Sequence, residues 1–322
     1  MKKIFALILA LCMIVALSAT AMAEEPGQAL KIGLTMQTLN GAYFAAQEET
    51  FAALCQEKGY EYVTADANGD TVQELTNIEN FIAQGCNVIV MNPVHAEGSV
   101  GAAELCQEAG VALFIMDNSI SSDAEYVSMI QSDNYSLGIL VGNDVAKHFG
   151  SEEIKLGLLS GNVGNTLGDA RRDGTIAGIV EQQLETRGEA RIDIVTQGWG
   201  AWNQADGLSA AENMLTAAPE MNCIFAENDD MALGAYEACQ AIGRDDIIIA
   251  SADGNKTVLG LIKDGSQILA TGRNNPSECA AKVIETIEKW NAGEPVLKTV
   301  YLTPVSVSLA NIDNYYDPDS TF

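Results

Sequence analysis

Five hydrogen-bonding residues stand close behind apolar runs in this 322-residue chain. They are Gln37 after Met36, Asn92 after Met91, Asp117 after Met116, Asn228 shortly after Ala226 and Asp253 shortly after Ser251. Carboxylates accept hydrogen bonds, and amides both accept and donate. That mixture suits a compound with vicinal hydroxyls, whose polar atoms must all be paired once they leave water. The competing role at each position is a helix cap or an Asx turn. Recurrence at five strand ends, in both halves of the chain, points instead to a shared polyol site. A sugar also has apolar C–H faces that pack on aromatic rings, and Tyr43, Phe44, Trp199 and Trp202 fall in or near loops where such a face could be met. Ordinary core packing is the alternative for each ring.

The elements that must position these residues alternate regularly. Short apolar runs at 31–36, 60–64, 87–91, 111–116, 154–159, 191–196, 222–226 and 246–251 have the continuous hydrophobicity of parallel strands buried on both faces. Segments such as 42–58, 71–84 and 97–109 carry apolar residues at helical spacing and are followed by Gly59, Gly85 and Gly110, a C-terminal stop signal. Alternation on both sides of the midpoint predicts two doubly wound α/β lobes. In such sheets ligands bind beyond the carboxyl ends of the strands, where the five polar residues stand. The stretch 126–134 reads as a strand that carries the chain between lobes, which makes a hinge and not a flexible tether.

Bulk properties narrow the function. The chain opens with Lys2 and Lys3, an apolar stretch over 4–17 and Ala21-Met22-Ala23, the pattern of a signal peptide cleaved after Ala23 and too short to span a bilayer. Export places the protein in a periplasmic or extracellular space. With 17 basic and 44 acidic side chains, net charge −27, the surface repels phosphate backbones and anionic lipid. Six cysteines follow the signal, none in a CxxC pair, and their apolar neighbours predict buried free thiols. Enzyme signatures are missing: no GxGxxG follows the first strand, and there is no P-loop or GxSxG elbow. Of the two histidines, His148 reads as a surface residue near a helix end, and His95 could edge the cleft. Asp66, Asn68 and Asp70 have the spacing of calcium-loop ligands, but Thr71 and Asn77 stand where that loop needs glycine and glutamate, so a turn into a helix capped by Asp70 or Thr71 is expected. No catalytic residue, metal or cofactor is predicted.

The segments TLNGAYF (38–44), NVIVMNP (87–93), FIMDN (114–118), QSDN (131–134), FAENDDMALGA (225–235) and SADG (251–254) together resemble the ribose- and galactose-binding proteins of the type I periplasmic sugar-binding family. The resemblance implies an aromatic wall from Tyr43 and Phe44, with Asn92 and Asp117 gripping hydroxyls. It implies that Trp202 stacks from the second lobe and that Arg172, Asn228, Asp253 and Asn274 complete the cage, with the adjacent Arg171 as the one-residue alternative to Arg172. Asn118 stands at the family's usual arginine and Ala252 at its usual aromatic, so the identity of the sugar is open. Three hinge crossings are implied, near 132–134, 272–275 and 303–305. They divide the chain into a signal peptide (1–23), a first lobe (24–132 plus 275–303) and a second lobe (133–274 plus 304–322). The implied function is capture of a neutral monosaccharide or polyol by hinge closure and delivery, as a monomer, to the permease of an ABC importer. The alternative is the ligand-binding component of a chemotaxis or two-component sensory system. A sugar-responsive repressor would share the fold, but it would carry a DNA-binding helix-turn-helix where this chain has an export signal.

Overall fold

Runs of β-branched and other apolar residues without polar interruption become strands only when both of their faces are covered, and the central strands meet that condition. The computed structural model describes residues 27–322, so the signal sequence and its cleavage site lie outside the described residues. Strands β1 (Lys31–Met36), β2 (Glu61–Asp66), β3 (Val88–Met91), β4 (Ala112–Met116), β5 (Ser128–Ser132) and β11 (Thr299–Leu302) form one sheet in the order β11-β5-β4-β3-β1-β2, all parallel. Strands β6 (Ile154–Ser160), β7 (Ile192–Trp199), β8 (Cys223–Ala226), β9 (Ile248–Asp253), β10 (Ile268–Arg273) and β12 (Ser306–Ser308) form the second in the order β12-β10-β9-β8-β6-β7, with only β12 antiparallel. Every residue of the interior strands β3 and β8 is buried, whereas the edge strands β2 and β7 are largely open to solvent.

Helices cover each sheet on both faces. On the first, α1 (Ala42–Lys58) and α9 (Pro276–Asn291) cover one side, with Phe51, Cys55, Val283 and Ile287 in the core; α2 (Thr71–Ala83) and α3 (Val100–Ala109) cover the other with Ile78, Phe81 and Cys106. On the second, α4 (Asn134–Phe149) and α5 (Thr166–Arg187) bury Leu137, Val141 and Ile179, while α6 (Gln204–Ala217), α7 (Asp229–Ile242) and α8 (Lys256–Lys263) bury Met214, Met231 and Val258 opposite them. Among the described residues, no helix is long and apolar enough to cross a membrane. The cysteines at 55, 86, 106, 223, 239 and 279 are all free and buried.

The helix starts follow a common chemistry. Asp70, Asp133, Asn165, Asn203, Asn228, Asn255 and Asn275 each accept a backbone N–H from the first turn, satisfying a donor that the helix leaves open. Asp70 therefore caps α2, and the Asp66–Asp70 segment is a turn. Helices α4 and α5 lie unusually close. A Cβ added at Gly138 or Gly142 would strike the α5 backbone at Arg171 and Thr175, and one at Gly174 or Gly178 would strike α4 at Tyr135 and Ile139.

The chain passes between sheets three times: from β5 into α4, from β10 into α9, and from β11 into β12. Although α9 follows a strand of the second sheet, its buried face (Cys279, Ala280, Val283, Ile284 and Ile287) completes the core of the first.

Candidate functional site

Strand ends deliver the polar residues. Gln37, Asn92 and Asp117 follow β1, β3 and β4 directly. Asp117 adopts a left-handed backbone, φ 68°, held by its N–H donating to Ile130 O (2.8 Å) and by Asn118 N–H donating to Met116 O (2.9 Å). This turn points the Asp117 carboxylate at the start of α1, where the Tyr43 hydroxyl donates to Oδ1 at 2.7 Å. Asn118 donates to Gln37 Oε1 (3.0 Å) and Pro93 O (2.9 Å), so these two residues form a braced pair beside Asp117. Asn92 is fully buried, and its amide donates to Gln47 Oε1 at 3.0 Å. Its own Oδ1, also buried, has no protein partner.

On the second lobe, Asp253 ends β9 with φ 137°, a backbone conformation that costs an L-residue on the order of 1–3 kcal/mol and survives only where its surroundings enforce it. Asp229 supplies the enforcement. Its buried carboxylate accepts from Ser251 Oγ (2.5 Å), Thr271 Oγ1 (2.7 Å), Gly254 N (2.8 Å) and Asn255 N (2.6 Å), pinning the turn that carries Asp253. The Asp253 carbonyl in turn accepts from Asn274 N at 2.9 Å. Asn274 Oδ1 accepts from Ser132 Oγ at 2.6 Å, which joins the ends of β5 and β10 where the chain changes sheets.

Arg171, not Arg172, carries its guanidinium to this cluster. It is 2% exposed and donates to Asp253 Oδ1 (2.9 Å), Glu227 O (2.8 Å) and Asn134 Oδ1 (2.9 Å). Arg172, one step further around α5, pairs with Asp169 (2.9 Å) and Asp173 (3.2 Å) and, at 3.6 Å, with the carboxylate of Glu227. Arg171, Gly174, Thr175 and Gly178 share the buried face of α5 with the spacing i, i+3, i+4, i+7, and the small residues among them were the available sequence signal for which arginine turns inward. Arg171 was the stated alternative to Arg172; Asn134, Ser132, Asp229, Gln47 and Glu227 were not among the site residues the sequence offered. Glu227 is buried, with Oε2 accepting from Gly161 N at 2.8 Å.

The aromatic residues divide. Trp202 sits in a left-handed turn, φ 64°, with its ring laid over Gly161, where any Cβ would strike it; its carbonyl accepts from Asn228 Nδ2 at 3.1 Å. Asn228 therefore caps α7 with one side-chain atom and holds Trp202 with another. Trp199 instead ends the edge strand β7, 43% exposed, and lines an open hollow of about 440 Å³ between β7 and α6 that contains none of the residues above. Phe44 packs on the first core, and Tyr43 meets it edge-on with ring centroids 5.4 Å apart. His95 Nδ1 accepts from the N–H groups of Glu97 and Gly98 in the turn before α3, and His148 lies in the last turn of α4.

The electrostatics couple groups of the two lobes. Burial pushes the Asp117 carboxyl above its ordinary range, while the Tyr43 hydroxyl and the Arg171 guanidinium of the other lobe pull it back. Burial and the Asp117 charge push the Tyr43 phenol well up, with a smaller contribution from Asp253. Burial raises Asp253 to about 7, against the pull of Arg171 and with the push of Asp229. Carboxylates and amides of two lobes thus face one another, able to accept and donate to an uncharged ligand but arranged around no nucleophile–base pair. Among the described residues, no cluster of three His, Cys, Asp or Glu side chains could hold a metal.

Two parallel-sheet lobes joined by three crossings, with buried polar strand ends of both lobes turned toward one another, define a hinged solute-binding protein. Residues 32–294 match the sequence profile of the periplasmic binding protein domain, and the chain belongs to that family, whose members are non-enzymatic components of transport. It is 28% identical over 296 residues to the ribose import binding protein of Escherichia coli (strain K12), covering 92% of this chain and 95% of that protein. An ABC transporter solute-binding protein from Mycobacterium smegmatis, solved with bound glycerol, superposes with a TM-score of 0.82 at 30% identity, covering 92% of this chain and 99% of the other. A second Mycobacterium smegmatis structure, in complex with β-D-fucofuranose, gives a TM-score of 0.78 at 26% identity, covering 89% and 93%.

Proposed function

We propose that this protein is exported, with its signal peptide cleaved after Ala23, and captures a small neutral sugar or polyol by closing its two lobes, then delivers it as a monomer to an ABC importer. The lobes are 24–132 plus 275–303 and 133–274 plus 304–322. Gln37, Tyr43, Phe44, Asn92, Asp117 and Asn118 line the first side; Arg171, Trp202, Asn228 and Asp253 line the second, with Asn274 at a crossing. The observation that carries this reading is the facing of Tyr43–Asp117 by Arg171–Asp253, two hydrogen-bonded pairs from opposite lobes within electrostatic reach of one another. An uncharged polyol fits because its hydroxyls can donate to both carboxylates and accept from Arg171, while its C–H face lies on Trp202. The unpartnered Asn92 Oδ1 supplies a further acceptor. The glycerol, fucofuranose and ribose named for the relatives above belong to the same chemical class.

The test is calorimetric titration of the protein lacking residues 1–23 with D-ribose, β-D-fucofuranose and other neutral monosaccharides and inositols, beside X-ray scattering with and without the sugar that binds. Saturable binding with a smaller radius of gyration is expected. Binding without contraction overturns the hinge, and tighter binding of charged amino acids or peptides than of any sugar overturns the ligand class.

A further inference from the structure

The segment that follows β12 is held to the second lobe along its length. Tyr315 and Tyr316 pack on the core formed with α6, α7 and α8. The Arg273 guanidinium lies over the Tyr315 ring at 5.5 Å and the Lys263 ammonium over the Tyr316 ring at 5.2 Å. Beyond them the chain turns at Asp317, whose carbonyl accepts from Ser320 N at 3.2 Å. Lys256, in the first turn of the helix that follows Asp253, then donates to Ser320 O at 2.5 Å. Ser320 Oγ accepts from Phe322 N (3.3 Å) and donates to Phe322 O (2.6 Å), which sets the direction of the Phe322 side chain.

That side chain does not stay with the second lobe. The Phe322 ring meets Tyr43 edge-on, centroids 5.4 Å apart and planes at 83°. Tyr43 belongs to α1 of the first lobe and is the residue whose hydroxyl donates to Asp117. A segment anchored beside Asp253 thus reaches across the cleft to touch the tyrosine that braces Asp117. Unlike the three covalent crossings, this contact exists only while the lobes are together.

We propose that residues 317–322 form a strap that closes over the mouth of the cleft, with Phe322 as a noncovalent latch on Tyr43 that favours the closed form and shields the site. The proposal rests on the hinged reading of the molecule, because a latch has meaning only if the lobes separate. An edge-to-face aromatic pair is worth enough to shift the closed-to-open ratio by about 2- to 12-fold, a bias that leaves the ligand in control of closure.

The experiment places one dye on each lobe, at Glu57→Cys and Glu181→Cys, both exposed, while the native thiols are buried and spared by brief labelling. Single-molecule energy transfer is recorded without ligand and through a titration with D-ribose, or with β-D-fucofuranose if ribose does not bind. Phe322→Ala is expected to lower the ligand-free closed-to-open ratio by about 2- to 12-fold and to raise the midpoint of the closure titration by the same factor, with an unchanged melting curve. Phe322→Tyr, which keeps the ring, should behave as the parent. Parental transfer histograms and midpoint for Phe322→Ala overturn the strap. A parent protein that binds sugar with no change in energy transfer overturns the hinge instead, so the two failures are told apart.

Discussion

Asp253 concentrates the chemistry of the cleft in one carboxyl. In the closed form its pKa is about 7, raised chiefly by burial. Opening of the lobes relieves that burial, with Arg171 and Asp229 of the same lobe still alongside, and lets the pKa fall toward the ordinary carboxylate value of about 4. Between these values the closed form binds more protons, so the stability of closure that Asp253 provides is fully present below about pH 4 and is lost as pH rises through about 7. The ligand-free protein should therefore open progressively from pH 4.5 to 7.5, seen as a rising radius of gyration, and Asp253→Asn should reduce the rise, the remainder coming from Asp117, which burial also raises. Saturating sugar should flatten it too, since hydroxyl donors stabilise the ionised carboxylate. Trp202→Ala should cost about 2–3 kcal/mol of sugar affinity through lost stacking and burial, roughly 30- to 160-fold. Trp199→Ala, altering the separate hollow beside β7, should leave the affinity unchanged in the same calorimetric titration. Arg171→Ala should abolish tight binding, while Arg172→Ala, which loses the half-exposed pairs with Asp169 and Asp173 and a longer one (3.6 Å) with buried Glu227, should weaken it far less.

At the scale of elements, two devices hold the site in place, and each has a test. Gly142→Ala would press a methyl group onto the Thr175 carbonyl, forcing α5 away from α4 and Arg171 away from Asp253. A loss of about 1–3 kcal/mol in urea unfolding is expected, together with weaker sugar binding. Gly101→Ala in α3, where the nearest atom is a Leu75 methyl at 3.9 Å, should leave the melt unchanged. Asp229→Ala would take the acceptor from two buried hydroxyls and from the Asn255 N–H, leaving Gly254 N–H only its longer bond to Thr271, and should cost about 3 kcal/mol. Much of this architecture was legible in the sequence, because strands buried on both faces are continuous apolar runs and helices ending in glycine are punctuated. The runs at 31–36 and 87–91 matched β1 and β3 to within a residue. Strands β10, β11 and β12 were not found by pattern: Thr and Gly interrupt the apolar run of β10, and β11 and β12 are short pieces with Thr or Ser that become strands by pairing with β5 and β10, distant in sequence. The strand ends stood out as polar residues after apolar runs, but Arg171 and Asp229 did not. Their roles depend on which face of a helix turns inward, and α5 carries too few large apolar residues for its face to be read directly.

The whole molecule is two lobes that neither begin nor end together. The first sheet lacks β11 until residue 302 is in place, and its core lacks the buried face of α9 until residue 287. A fragment of residues 27–132 should therefore fail to fold alone, giving a collapsed near-ultraviolet dichroism signal and fast proteolysis. Adding residues 276–302 through a flexible linker should restore a cooperative melt.

This late completion has a consequence for biosynthesis. A ribosome releases the N-terminal half of the chain well before the segments that finish its first lobe, so that half spends much of translation without a native core. Long-range pairing of this kind also slows folding once synthesis ends. The interleaved topology therefore holds the first lobe short of its native packing until nearly the whole chain has been made. The order in which the lobes are written leaves the closing of the first to residues 276–302, after almost all of the second has emerged.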